Sequence, residues 1–415
     1  MTTTINNEHK KLNVPNLRFP EFQGEWEKCK LRDIANITGG YAFKSDTLNS
    51  IGGKYQVVKM GNLYQNQLDL HRSPSYTDIL TSKAENVILR KGDIAITLTG
   101  TNNKRDFGYT YIFNDEKNLL LNQRCGLIRT TGNPYFLSCL LKTYAFLNQF
   151  FESATGGTGN QANVSTKAME MFSVNIPSLK EQKKIGELMA LLDERIATQN
   201  KIIDKLQSLI KGLNDTLYAQ HGNEVMTSFA ELGTPYSGLS GKSAQDFGSG
   251  KPFITYLNVY SNNIINENDF QYVAIKDGEK QNIVEYGDVL FTLSSETPNE
   301  VGIGSVFLGK EKVYLNSFCF GIHITNKEVA FPPYLSYYVS STAFRKFIYP
   351  YAQGSTRFNL CKAGFEKASI KLPTLENQKR IHSILGHIDC KIETERLLLA
   401  LYNSQKQYLL RQMFI

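Results

Sequence analysis

Asn175-Ile176-Pro177-Ser178-Leu179-Lys180-Glu181-Gln182-Lys183-Lys184-Ile185 returns 196 residues later as Lys371-Leu372-Pro373-Thr374-Leu375-Glu376-Asn377-Gln378-Lys379-Arg380-Ile381. From Pro177 to Ile196, seven of 20 positions are identical to their partners: Pro177, Leu179, Gln182, Lys183, Ile185, Asp193 and Ile196. A repeat of this length decides the architecture before any local motif does. Upstream, Gly92-Asp93-Ile94-Ala95-Ile96-Thr97-Leu98 matches Gly287-Asp288-Val289-Leu290-Phe291-Thr292-Leu293. Leu121-Asn122 with Cys125 matches Leu315-Asn316 with Cys319, and Gly156 to Val164 echoes Gly354 to Leu360. The offset drifts by a few residues, as loop insertions cause. The chain therefore reads as two copies of one unit.

Each copy has two parts. The first, about 26–178 and 225–373, mixes short strand-like runs with breaks rich in Gly, Asn and Thr. Tyr55 to Lys59, Asp93 to Leu98 and Val289 to Leu293 are predicted strands. Pro134 and Pro333 open short helical stretches, where a first-turn proline is at home. The second part is a predicted long helix, about 181–219 and 377–414. Its apolar residues alternate steps of four and three: Ile185, Met189, Leu192, Ile196, Gln199, Ile203, Leu206, Ile210, Leu213 and Leu217. The second copy gives Ile381, Leu385, Ile388, Ile392, Glu395, Leu399, Tyr402, Lys406, Leu409 and Met413. This is a heptad seam, and it predicts that the two helices pair as a coiled coil. Gln199 and Glu395 interrupt the seams at the same repeat position, where a polar residue can fix register. A helix of this length spans roughly 60 Å and carries the second globular part to its far end. The second helix covers the first seam only by running back, so the pair is expected to be antiparallel. The predicted fold is α+β: two mixed domains joined by two long antiparallel helices, with an internal pseudo-two-fold repeat. The expected division is 1–25 N-terminal arm, 26–178 first domain, 179–222 central helix, 223–373 second domain and 374–415 C-terminal helix.

The 415 residues, 41% hydrophobic and 20% charged, suit two or three domains with real cores. No apolar run approaches the roughly 20 residues of a membrane helix, and Met1 to Lys11 has no apolar signal core. The six cysteines never form CxxC pairs, which fits buried thiols in a reducing cytoplasm. The net charge of +7 permits a nucleic-acid partner without demanding one. It is unevenly spread. Residues 26–178 hold 17 basic and 12 acidic side chains, whereas 224–373 hold 13 and 14.

In this arrangement the chain resembles the specificity subunits of type I restriction–modification systems, over about 14–414. The local marks are Pro15-Asn16-Leu17-Arg18-Phe19-Pro20, then Trp26, then Leu31-Arg32-Asp33-Ile34 before a glycine-bearing turn. The Ile176-Pro177…Glu181-Gln182…Ile185 junction and its Leu372-Pro373…Gln378…Ile381 copy also fit, as do the Gly-rich turns at 156–160 and 354–357. The second copy departs: the tryptophan position falls near Met226, and Asn377 replaces the glutamate. The resemblance implies a non-catalytic, cytoplasmic, host-defence protein that chooses the double-stranded DNA sequence. It implies two target recognition domains and two modification subunits, which methylate adenine using S-adenosylmethionine. Restriction subunits join through the complex. A scaffold or decoy that binds modification subunits without selecting DNA is the alternative reading, and a self-sufficient methyltransferase a third.

Several motifs imitate catalysis. Phe331-Pro332-Pro333-Tyr334 resembles the Asn/Asp-Pro-Pro-Tyr motif of amino-methyltransferases, but phenylalanine cannot accept the amine hydrogen bond. No Gly-x-Gly-x-x-Gly follows a strand. Gly238 to Ser243 ends like a phosphate-binding loop, yet Tyr236 stands where its first glycine belongs. His382 and His387 are five apart and do not share a helical face. Cys125 and Cys319 sit in apolar runs with no adjacent base. No catalytic residue, metal or cofactor is expected.

Reading bases needs exposed hydrogen-bonding side chains backed by cations. Thr99-Gly100-Thr101-Asn102-Asn103-Lys104-Arg105 follows a predicted strand and supplies both. Its counterpart is Ser294-Ser295-Glu296-Thr297-Pro298-Asn299, where Glu296 could accept from a cytosine amine. Lys44 in Tyr41-Ala42-Phe43-Lys44, the run Gln65-Asn66-Gln67, and Arg357 in the Gly354 to Arg357 turn complete the candidates, with Gly156 to Asn160 as that turn's partner.

Overall fold

A computed structural model describes residues 13–101, 103–115, 117–156 and 161–415. They fall into two compact units, one holding the chain up to Asn200 together with Leu398–Ile415, the other holding Lys201–Leu397. The fold is α+β, and the two units are built alike.

In unit 1 a four-stranded antiparallel sheet has the order Ala35–Gly39, Cys125–Thr130, Ile94–Thr97, Thr110–Ile112. In unit 2 the order is Gly233–Ser237, Cys319–Ile324, Val289–Thr292, Gly304–Val306. The central strands are buried on both faces, which is why Ile94–Thr97 and Val289–Thr292 read as unbroken apolar runs rather than alternating ones. Ahead of each stands a glycine at positive φ, Gly92 at +87° and Gly287 at +95°, a conformation that costs glycine nothing. The aspartate that follows accepts from the turn behind it, Arg90 N at 2.9 Å on Asp93 and Glu285 N at 2.9 Å on Asp288. The repeated Gly-Asp pair is thus one turn built twice.

The repeated junction has the same kind of explanation. Glu27–Lys30 pairs with Ser173–Ile176, and Val225–Thr227 with Ile370–Leu372. This register aligns Trp26 with Glu224 rather than with Met226, so the tryptophan's counterpart lies two residues earlier than the sequence suggested. The long helices begin directly afterwards, at Leu179–His221 and Leu375–Gln412. Gln182 is buried, its amide donating to Pro177 O at 2.9 Å and accepting from Asn133 N at 3.2 Å. Gln378 repeats this, donating to Pro373 O at 2.9 Å and accepting from Phe331 N at 2.8 Å. Each glutamine ties its helix to the short proline-led helix of its own unit. Replacing either by leucine leaves a part-buried backbone N–H and a proline carbonyl without these partners, so Gln182→Leu or Gln378→Leu is expected to cost about 1–3 kcal/mol. Urea unfolding followed by hydrogen exchange in the affected unit measures this; a change within 0.5 kcal/mol, the scatter of an ordinary surface substitution, would contradict it.

The helices run antiparallel within each unit. In unit 1, Asp193 takes an ion pair from Lys406, and Arg195 lies over the Tyr402 ring at 6.0 Å. In unit 2, Asn377 at the start of the second long helix meets His221 at the end of the first, 3.4 Å apart. Every seam residue expected to be apolar and covered is so: Ile185, Ile203, Ile381 and Ile392 are buried, and Leu192, Ile196, Ile388 and Leu399 half-buried. The polar interruptions are buried too, Gln199 at 5% and Glu395 at 6% exposure, with Lys391 paired to Glu395.

The core of unit 1 collects residues from both ends of the chain. Trp26, Phe136 and Ile185 pack with Leu410, Met413 and Phe414. Phe414 stacks on Phe136 at 5.2 Å and meets Trp26 edge-on at 6.3 Å. The segment from Asn13 crosses this corner, Leu17 N donating to Gln412 O at 2.8 Å. Residues 1–12 of the expected arm lie outside the described residues. In unit 2 the core is dominated by Phe229, Phe291, Phe320, Phe344 and Phe365, and the end of the first long helix packs on it through Leu213, Leu217 and Tyr218.

Glu181, which caps the junction in unit 1, and Asn377, its counterpart, have exchanged charge with their surroundings. Glu181 is held by Arg18; Asn377 donates from its amide to both oxygens of Glu224 at 2.9 Å. Glu224 also accepts from Thr374 N at 2.7 Å, and these bonds hold its carboxyl down at about 2. A depressed carboxyl stabilises the folded state above its ordinary value near 4.5, and that contribution is lost as pH falls from there toward 2. Acid titration of unit 2 is therefore expected to be shallower for Glu224→Gln than for the wild type. Superimposable acid limbs would contradict it.

Candidate nucleic-acid interface

Strand order brings together candidates that lie far apart in the chain. Thr99–Thr101 is the edge of a three-stranded sheet with Gln161–Asn163 and Thr155–Gly156. The two latter strands flank the Gly-rich turn, of which 157–160 lie outside the described residues. Unit 2 builds the same sheet from Ser294–Ser295, Phe358–Leu360 and Ala352–Gln353, around the turn that carries Arg357. In each copy the strand that opens the loop therefore pairs with a strand flanking the glycine turn.

Within that surface the candidates divide. Thr99 is buried, its hydroxyl donating to Asn163 Oδ1 at 2.9 Å. Ser294 is buried as well, accepting from Arg357 Nη2 at 3.2 Å. Both side chains are thus buried and bonded within the small sheet. Thr101 is half-buried and bonded to Asp106 through its backbone N at 2.6 Å. Gly100 has no room for a Cβ, which would stand 2.7 Å from Asp106 and Phe107. The loop thus turns back tightly, and exposes Asn103, Lys104 and Arg105. Asn102 lies outside the described residues. Arg105 adopts φ +48° and places its guanidinium 5.1 Å over the Phe151 ring.

In unit 2 the loop is anchored by an acid. Glu300 accepts from Ser295 Oγ at 3.0 Å, Thr297 Oγ1 at 2.8 Å and Tyr260 OH at 2.8 Å, which hold its carboxyl below the usual range. Ser295 is accordingly half-buried and engaged, while Glu296 and Arg357 are exposed. Arg357 lies over Phe318 at 5.9 Å.

Tyr41 pairs by a bridge with Asn122, and Lys44, three residues on, is exposed. The run Gln65-Asn66 forms a hairpin tip with both residues at positive φ, and Asn66 Oδ1 accepts from Thr110 N at 2.8 Å. The carbonyl oxygen of that exposed amide caps a sheet strand.

Sequence reading missed the turn between Leu121 and Cys125, and between Leu315 and Cys319. Gln123, Arg124, Ser317 and Phe318 are exposed at its tip. Arg124 O accepts from Leu98 N at 3.0 Å, and Phe318 O from Leu293 N at 2.9 Å, directly before the candidate strands. The signal was present: two unlike residues stand inside a matched Leu-Asn-x-x-Cys frame.

The catalytic look-alikes have structural uses. Pro332 opens the helix Pro332–Ser340. Lys242 donates to Ala274 O at 2.6 Å and pairs with Glu279 at 2.6 Å. Burial pushes the Cys125 thiol up to about 12 and raises that of Cys319 as well. Among the described residues no group of three or more His, Cys, Asp or Glu could hold a metal ion. Nor is any described helix long and apolar enough to cross a membrane.

Two units with one frame and two different sets of exposed side chains define a duplicated recognition module. The family described as type I restriction modification DNA specificity domain matches residues 23–208 and again 240–401, and the chain belongs to it. It is 23% identical over 417 residues to the protein assigned as type I restriction enzyme MjaX specificity subunit of Methanocaldococcus jannaschii, covering 94% of this chain and 92% of that one. It is 29% identical over 180 residues to the type I restriction enzyme EcoAI specificity subunit of Escherichia coli, covering 43% of this chain and 29% of that one. Among solved structures, the type I restriction–modification S subunit from M. genitalium shares its fold, with a TM-score of 0.55, 14% identity, and 97% and 99% of the two chains covered. A chain from a study of type I system assembly and conformational transition does so with a TM-score of 0.55, 16% identity, and 94% and 97% covered.

Proposed function

We infer that this chain selects the DNA target of a type I restriction–modification complex and does no chemistry on it. The observation that carries this reading is the duplicated unit: the same sheets and turns recur, while the loops beside them expose unlike side chains, Asn103, Lys104 and Arg105 in one unit and Glu296 and Thr297 in the other. Each unit then reads its own half-site, and the target is bipartite and asymmetric, unlike the palindromes that identical subunits read. The partners are double-stranded DNA, two modification subunits and, through the complex, restriction subunits, all in the cytoplasm. The repeated helix starts support two equivalent docking places, since Lys183 and Lys379 are matched and exposed.

Lys104 and Arg105 supply the exposed cations of the unit 1 loop, and unit 1 carries the excess positive charge of the two globular parts. Changing both to alanine in the assembled methyltransferase is expected to weaken DNA binding and reduce the salt slope by about 1.8, since each phosphate contact contributes about 0.9. Replacing Asn103 should instead alter one half-site. Fluorescence anisotropy across a salt series measures the first effect. An unchanged affinity and slope for the double variant would remove this loop from the interface.

A further inference from the structure

Resting on the reading of each unit as a half-site reader, we propose that the dipeptides Gln123-Arg124 and Ser317-Phe318 are specificity-determining residues, one pair for each half-site. The two units share the backbone bonds of the frame that presents them. Asn122 N donates to Val58 O and Asn316 N to Ile254 O, each at 2.9 Å. Cys125 N closes on Asn122 O and Cys319 N on Asn316 O, each at 3.0 Å. The floor beneath is a glycine in both: a Cβ on Gly40 would stand 2.1 Å from Asn122 O, and one on Gly238 2.1 Å from Asn316 O. The buried Cys125 and Cys319 lock the far side.

A frame this constrained fixes where the two tip side chains go and leaves their identity open. Both pairs are exposed, and both are wired to the candidate sheet. Leu98 N takes the carbonyl of Arg124 while Leu98 O takes Val164 N at 2.9 Å; Leu293 does the same with Phe318 and Leu360 N, the latter at 2.8 Å. The tip, the loop strand and the glycine-turn strand are therefore joined by backbone hydrogen bonds in each unit.

The chemistry at the two tips is opposite. Arg124, with Gln123 beside it, offers donors that match the O6 and N7 acceptors of guanine. Phe318 is 55% exposed, an apolar face that suits the thymine methyl, and Arg357 lies over its ring while bonded to Ser294. The aromatic and the arginine thus form one built element in unit 2, whereas unit 1 puts its arginine at the tip itself.

The test is methylome mapping of the full assembled methyltransferase carrying exchanged tips. One variant combines Gln123→Ser with Arg124→Phe; the other combines Ser317→Gln with Phe318→Arg. Each is expected to change one or two base positions of one half-site, leaving the other half-site and the spacing as they were. The single changes Arg124→Ala and Phe318→Ala are expected to lower base discrimination at one position by about tenfold or more. Arg124→Lys and Phe318→Leu keep the turn if the larger changes prevent assembly, and should still shift that position. A wild-type complex with a defined motif, and all assembled variants with that same motif and undiminished discrimination, would overturn this proposal alone. A wild-type complex with no motif would overturn the reading on which it rests.

Discussion

Replacing Arg18 by methionine is expected to destabilise unit 1 by about 3–5 kcal/mol, because it strands a buried carboxylate. Glu181 has a side chain only 1% exposed, and Arg18 grips it with two parallel bonds, Nε to Oε1 at 2.7 Å and Nη2 to Oε2 at 2.8 Å. A weaker donor remains, the indole N–H of Trp26 at 3.3 Å. One neutral donor cannot replace the hydration lost by a buried carboxylate. The Coulombic gain of the pair does not make it strongly stabilising in itself, since both ions were desolvated to form it. Removing both charges, in Arg18→Met with Glu181→Met, should therefore recover part of the loss. Hydrogen exchange resolves the site of the effect: amides of the unit 1 sheet lose protection while those of Val289–Thr292 keep theirs. A single-variant cost below 1 kcal/mol would show that Glu181 finds water instead. The contrast with unit 2 makes the point local, because Asn377 is neutral and its acidic partner Glu224 is 30% exposed.

The second large effect comes from the chain's last residues. Phe414→Ala removes a ring packed between Trp26 and Phe136 and should cost unit 1 about 3–5 kcal/mol. The loss is expected at amides of Ile94–Thr97 and Cys125–Thr130, hundreds of positions away in sequence. These strands share one core with Leu410, Met413 and Phe414. Protection lost only in the final helical turn would contradict this, and would mean that the C-terminus rests on unit 1 without belonging to it.

The sequence made the duplication, the two long helices and their seams legible, because each signal is periodic or repeated. The predicted helix starts, 181 and 377, lie two residues inside the observed Leu179 and Leu375. The junction motif was visible as a repeat, but its meaning was not. That Gln182 and Gln378 reach back to Asn133 and Phe331 depends on a fold that brings residues about 50 positions apart together. The loops chosen as DNA contacts were legible by composition, which reports polarity and not direction. Thr99 and Ser294 have the right chemistry, yet both are buried and bonded within their own units. The turn carrying Arg124 and Phe318 went unnoticed for the converse reason. Its matched frame marks it as a structural repeat, and only strand pairing places its tip beside the candidate loops.

In the proposed function the two units read two different half-sites of one target. Methylome mapping of cells expressing this chain with its modification subunits tests it most directly. The expected result is one reproducible adenine-methylation motif made of two unlike half-sites with a single fixed unread gap between them. A palindromic motif, or methylation with no reproducible motif, would contradict it.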